Sequence, residues 1–381
     1  MITLGQASNY SLGRSFRHLL AWGTKRDAAA LCADLAQKYH TDATKVALYH
    51  TGRSALTAAI LAVKEQAADQ PTRVVIPGLT CIAVVRAVKA AGCEPVFVDI
   101  NAENLEYDYE MLEQRLQEKS AQINIAIDKK DNVCYNRSIL LVQNTLGIAW
   151  DVTKLNEIAQ KYQAVIVEDL AHSAGRFYPD GREAGMIGDA VALSFGKGKA
   201  IDTISGGAAI VREGGALVQP DRKPKLSDRL RDRWYPIFGG IARSLWRCGL
   251  GKIWIGGLVK IGWVQRSADA ELDLSRRLTH WQAKLARRQL QDLPKTPLRE
   301  FRLVNNRAEV LEKLYQNGYC LDEIWYDTPV SPKRYASEVD FPDTECPQTV
   351  EISKQIINFP TWYKDGRMDE AYRIVKEYEI K

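Results

Sequence analysis

From about residue 27 to residue 211, short apolar runs alternate with amphipathic stretches, and that rhythm leaves few folds open. DAAALCADLAQKYH sets its apolar residues at helical spacing, and VALYHTG follows as a short strand ending in a turn. SALTAAILAVKEQAA reads as a helix, RVVIPG as a buried strand, and CIAVVRAVKAAG as a helix stopping on Gly92. EPVFVDI, ILLVQNT and AVIVEDL are further strands, the last two separated by the helical DVTKLNEIAQKYQ; VALSF and GGAAIV add two more. Parallel neighbours need a crossover, so this alternation predicts an α/β fold with a mostly parallel sheet. Ligands of such sheets meet the carboxyl ends of the strands. Four segments fall there: HTGRS, PGLTC, EDLAHS and SFGKGK.

Residues 221–266 break the rhythm. Eleven Lys/Arg face three Asp, a net of +8 against +5 for the whole chain, so the remainder carries about −3. Four of the nine tryptophans (Trp234, Trp246, Trp254, Trp263) lie here, among Arg243, Arg247, Lys252 and Lys260. Tryptophan, aliphatic residues and cations together suit an interfacial segment, and SFRHLLAWG near the start of the chain has the same character. Peripheral membrane contact through 221–266 is expected; a dimer contact or a cover over a substrate mouth are the competing readings. No nucleic-acid partner is expected, because apolar residues outnumber basic ones and no binding motif accompanies them.

Beyond this segment, LTHWQAKLARRQLQDL and NRAEVLEKLYQNG read as helices, IINFPTW as a strand and turn, and DEAYRIVKEYEI as a last helix. The expected organisation is a large α/β domain over 1–215, a basic Trp-rich insertion over 216–270, and a small C-terminal α+β domain over 271–381. With 46% hydrophobic residues the chain can fill a sizeable core. Its seven cysteines are scattered, without CxxC spacing, so neither a disulfide framework nor a metal site is expected. No apolar run reaches the length of a membrane span and no leader pattern opens the chain, which together predict a cytoplasmic setting.

Several residues could carry chemistry. Asp169 closes a buried strand, where a carboxylate is costly unless it faces a cation or caps a helix. A protonated pyridine nitrogen is one such cation. His172 follows three residues later and could contact a ring or simply pack. TGRSALTAAIL opens a helix with small residues, Gly52, Arg53 and Ser54 among them; free N–H groups at a helix start favour phosphate, although a plain capped helix reads the same way. Ser194 could add a hydroxyl. Lys197 and Lys199 stand one residue apart in SFGKGK, either as a solvated basic turn or with one of them a reactive amine.

The order TGRSAL, LTCIAVVRAVKAAGCEPVFVDI, VIVEDLAHSAG, GDAVALSFGKGKAIDTISGGAAIV, RRLTHWQAKLARRQL, FPDTEC, IINFPTW resembles the DegT/DnrJ sugar aminotransferases over nearly the whole chain outside 221–266. The resemblance implies fold type I of the pyridoxal 5′-phosphate enzymes, with a large domain around a mostly parallel seven-stranded sheet and a small C-terminal domain. It picks out Lys199, five positions after the serine of SF, as the cofactor-bearing lysine rather than Lys197. Asp169 matches the aspartate on the pyridine nitrogen, His172 a ring contact, and Ser194, Gly52, Arg53 and Ser54 the phosphate site. Cys81 stands where many relatives place an aromatic on the ring. Arg53 replaces a usual Thr and could add a cation; Asn144, Ser205 and Ser275 replace His, Glu and Asn.

The implied activity is transfer of an amino group, with glutamate the expected donor, onto a nucleotide-linked keto-sugar in polysaccharide or glycan synthesis. A homodimer with shared sites is implied too. A sugar dehydratase is the nearest alternative, but relatives of that kind carry histidine in place of the lysine. A non-catalytic, membrane-associated member acting in polysaccharide assembly is the other.

Overall fold

A computed structural model describes residues 2–4, 10–64, 72–117, 137–246, 248–321, 324–361, 366 and 368–380. Cys134, Arg247, Trp362 and the last turn expected of the 54–68 helix lie outside the described residues.

Seven strands form one sheet: β1 (Val46–Tyr49), β2 (Thr72–Pro77), β3 (Glu94–Val98), β4 (Arg137–Val142), β5 (Val165–Asp169), β6 (Ala190–Ser194) and β7 (Gly207–Val211). Their spatial order is β1-β7-β6-β5-β4-β2-β3. β7 runs antiparallel to both neighbours, and every other pairing is parallel. Along β4, Leu140 and Val142 enter one apolar cluster while Ile139 and Leu141 enter another, all fully buried. A period of two sends each strand's side chains to both faces, and both faces are covered, which is why these strands are continuous apolar runs.

The flanking helices in the first half are α1 (Leu12–Leu19), α2 (Lys25–Lys38), α3 (Gly52–Lys64), α4 (Ile82–Ala90), α5 (Tyr109–Gln117) and α6 (Val152–Lys161). Leu31 and Leu35 of α2, Leu112 of α5, and Leu155 and Ile158 of α6 cover one face; Ile60 and Val63 of α3 and Val85 and Val88 of α4 cover the other. The 221–266 segment folds largely as helices α7 (Leu226–Trp246) and α8 (Gly251–Lys260). The second half adds α9 (His280–Leu290), α10 (Arg307–Gln316), α11 (Pro347–Gln355) and α12 (Asp369–Lys376). Packing crosses the domain boundary expected at 271, because Leu278, Ala283 and Ala286 join the large core beside α2. β8 (Arg299–Leu303) and β9 (Ile356–Pro360) pair antiparallel, and Leu4 joins Val310, Leu314, Phe359 and Ile374 in a separate small core.

Candidate active site

β5 ends in two carboxylates that the strand period sends to opposite faces. Glu168 is fully buried and accepts from Tyr178 Oη (2.7 Å), Gly185 N (2.6 Å), Ile187 N (2.8 Å) and Gly188 N (2.7 Å). Both its oxygens are satisfied, so it serves the fold. Asp169, 6% exposed, accepts one N–H, from Ala171 at 3.0 Å on Oδ1. Among the described residues no hydrogen bond reaches its Oδ2. Burial pushes the Asp169 carboxyl up to about 6, against the Ala171 N–H and the nearby Lys199, which both favour the charged form. A buried carboxyl with an open oxygen is a place for a proton-bearing cation.

Past Asp169 the chain turns, and His172 comes to lie beside Lys199, with Lys199 Nζ 2.7 Å from His172 Nε2. The other ring nitrogen, Nδ1, accepts the Leu146 N–H at 3.2 Å. Burial holds the imidazole pKa well below its ordinary value, and the Lys199 and Arg299 charges push it the same way, so the ring is neutral at pH 7. A neutral ring that accepts at Nδ1 carries its proton on Nε2. That nitrogen faces Lys199 Nζ, so the imidazole fixes where the amine sits in the site.

Two aromatic residues pack on this imidazole. Trp325 stacks on His172 (centroids 5.1 Å apart, planes at 26°), with Lys199 Nζ 4.8 Å from its centroid. Tyr326 meets the same imidazole edge-on. Neither was legible in the sequence, because 126 and 127 residues separate them from Lys199 and nothing local marks them. Cys81, in the position where relatives stack an aromatic, instead caps α4, accepting the Ala83 N–H at 3.5 Å. The indole stacked beside Lys199 is that of Trp325, which packs on His172.

The start of α3 lies against the end of β6. A Cβ on Gly52 would fall 2.5 Å from Ser194 Oγ, and one on Gly207 would fall 2.7 Å from Gly52 Cα. Gly52 and Gly207 are small because helix start, serine and strand meet there. Ser54 is buried, with its Oγ 2.9 Å from Thr51 Oγ1. Arg53 departs from expectation. Its Nη1 donates to Ala268 O at 2.9 Å, and its guanidinium also reaches the Ser267 and Ala270 carbonyls. The side chain expected to add a cation at the helix start is tied to the segment after α8; its backbone stays in the first turn.

The two lysines diverge. Lys197 Nζ donates to Gln265 O at 2.7 Å and lies 3.9 Å from the centroid of Tyr235, so it faces α7 and the strand of chain after α8. Between the lysines and β7, Asp202 anchors the loop: it is buried and accepts from Tyr10 Oη (2.8 Å), Gly198 N (3.0 Å) and Ile204 N (3.0 Å). An Asp three residues after Lys199 in a Gly-rich turn is a signal that could have marked it. Asn144, in a left-handed conformation, accepts the Trp150 N–H and donates to Ser173 Oγ and Tyr178 Oη, tying its turn to the segment after β5, whereas Ser275 Oγ donates to Asp273 within a local turn.

Residues 28–300 match the DegT/DnrJ/EryC1/StrS aminotransferase family. GDP-perosamine synthase of Escherichia coli O157:H7 is 29% identical over 162 residues, 42% of this chain and 39% of that protein. The match thus spans well under half the length of that relative. A DegT DnrJ EryC1 StrS aminotransferase from Brucella abortus has the same fold, with TM-score 0.63 at 16% identity over 97% of this chain and 96% of that one. Spr1654 from Streptococcus pneumoniae in its PLP form gives TM-score 0.61 at 18% identity, covering 97% and 96%. A family match over well more than half its residues, on a sheet that gathers the motif residues at one edge, makes the chain a member of the DegT/DnrJ/EryC1/StrS aminotransferase family.

Proposed function

We propose that this chain is a pyridoxal 5′-phosphate-dependent aminotransferase that moves an amino group from an amino acid, with glutamate the expected donor, onto a nucleotide-linked keto-sugar. The observation that carries the reading is the half-satisfied buried Asp169 beside a Lys199 held by the neutral His172. The pocket's groups fit the cofactor. Asp169 Oδ2 is free to hold a protonated ring nitrogen, Gly52, Arg53 and Ser54 with Ser194 would hold the phosphate, and Lys199 would carry the aldehyde carbon. When bound, the cofactor supplies an electron sink for the electron pair left as a C–H bond breaks.

The protein's own groups do the rest. Lys199 Nζ takes and returns the proton at the reacting carbon. His172, through Nε2, aims that amine. Trp325 and Tyr326 keep water from the reacting side. The GDP in the name of the Escherichia coli relative supports a nucleotide-linked acceptor. We propose further that the enzyme is a homodimer working in the cytoplasm, in peripheral contact with a membrane through 221–266. The free state of every cysteine among the described residues supports the reducing compartment.

The test is spectroscopic. Protein loaded with pyridoxal phosphate should absorb in the visible, lose that band on adding glutamate, and regain it with 2-oxoglutarate. A protein that takes up no cofactor overturns the reading.

A further inference from the structure

The exposed apolar residues of the chain are not scattered. Eleven of the fourteen large ones among the described residues fall on α1, the residues just after it, α7, α8, or the turns next to α8. The most open are Leu20 (77%), Trp22 (74%), Ile253 (71%) and Ile261 (68%). Phe16, Trp234, Ile241, Leu250 and Trp263 are also exposed. Exposed apolar residues gathered on elements that touch one another mark an interaction surface.

These elements are one body. Ser15 Oγ of α1 donates to Pro236 O of α7 at 2.8 Å, and Arg233 Nη1 donates to the carbonyls of Leu19 (2.7 Å) and Ala21 (2.6 Å). Phe238 of α7 is stacked by Trp234 and met edge-on by Trp254 and Trp263, which holds α8 against α7. The helices thus meet through aromatic rings, with Phe238 and Trp254 half-buried, and leave aliphatic and indole groups outward. They are not long or apolar enough to cross a membrane among the described residues.

Charge selects the occupant. Residues 233–266 hold six Lys/Arg and no acidic residue, and residues 11–23 hold Arg14 and Arg17, again with none. On α8 and just past it, Lys252 stands next to the exposed Ile253 and Lys260 next to the exposed Ile261, both lysines exposed. Of the carboxylates of α7, Asp228 is paired with Arg231 and Arg276, while Asp232 is turned inward to Ser205 Oγ at 2.5 Å. Cations rim an indole-rich apolar face with no free carboxylate among them, which is complementary to an anionic lipid surface and not to itself.

We propose that α1, α7 and α8 form a single face that docks on an anionic bilayer. This deepens the membrane contact proposed above and rests on that reading, but it is independent of the transamination chemistry. The face belongs to the same body as the lysine loop, since Lys197 is held between Tyr235 and Gln265.

Cofactor-loaded protein is sedimented with phosphatidylglycerol vesicles and with phosphatidylcholine vesicles at low and high salt. It should bind the first, weaken with salt, and bind the second poorly. The pair Lys252→Glu and Lys260→Glu should weaken binding by about tenfold or more. Trp22→Ala with Ile253→Ala should also release the protein, with unchanged circular dichroism reporting an intact fold. Failure to bind anionic vesicles overturns the proposal. So does equal binding by every variant, or an Ile253→Asp variant that turns a dimer into a monomer, since the face would then join two copies. Vesicle binding without any uptake of pyridoxal phosphate would overturn the enzymatic reading and leave this one standing.

Discussion

In the Lys199 pocket, groups able to carry charge are buried: Asp169, His172 and Asp202 all lie under the surface. On the outer face of α1, α7 and α8 the reverse holds, and Trp22, Ile253 and Ile261 stand in the open. Both places break the rule of apolar inside and polar outside, in opposite directions. Neither arrangement stabilises the isolated chain. A buried, half-satisfied carboxyl costs free energy, as does an exposed isoleucine, unless something else covers it. The neighbouring Glu168 is the control: equally buried, it is satisfied by four donors and serves only the fold. The contrast separates the unfinished groups, to which the proposed cofactor and membrane contacts are assigned, from groups that are merely buried.

The largest expected effect separates the two lysines. Lys199→Ala should abolish the visible absorbance of the cofactor-loaded protein and lower turnover by about 10²–10⁴-fold. Lys197→Ala should keep the absorbance, because that side chain faces Tyr235. The opposite pattern would put the reactive amine on the wrong side of the loop and break the comparison.

Asp169 sharpens it through pH. Its folded pKa of about 6 exceeds the ordinary 3.8. A carboxyl harder to ionise when folded contributes stability that is fully present below about pH 4. That contribution is lost as pH rises through about 6, a change of about 2–3 kcal/mol in the cofactor-free protein. Denaturant titrations of wild type and Asp169→Asn between pH 4 and 8 should show the wild type losing ground over that window. Parallel curves would mean Asp169 is already satisfied.

Gly52→Ala should cost about 1–3 kcal/mol in the same titrations, since its Cβ would press on Ser194 Oγ. It should also weaken cofactor retention. Unchanged stability would show that the helix start can retreat from β6.

The smallest effect is on the open face. Ile253→Ala should change stability by no more than about 0.5 kcal/mol, whereas Leu258→Ala, on the buried side of α8, should cost about 2–5 kcal/mol. Equal losses would mean that the outer face is covered in solution.

Much of this was legible in the chain itself. The strand runs from Val46 to Val211 needed only their own apolarity, because a sheet covered on both faces leaves that pattern in every strand. Asp169, Ser194, Lys199 and the Gly52 helix start lie at strand or helix ends, so their convergence on one edge followed from the α/β alternation. Trp325 and Tyr326 could not be found that way, since their approach to His172 depends on how the C-terminal part packs on the sheet. Arg53 misled for a related reason. Its position in the motif says nothing of the Ser267, Ala268 and Ala270 carbonyls that take its guanidinium.

The amino-acid sequence by itself determined the sheet, the edge where the site lies and the residue types offered there, because these follow from local periodicity and from where strands stop. Only the tertiary structure decided which aromatic packs on His172, where the Arg53 side chain goes and which side of α7 and α8 stays open. Those outcomes rest on contacts between residues far apart in the chain, and local pattern does not encode such contacts.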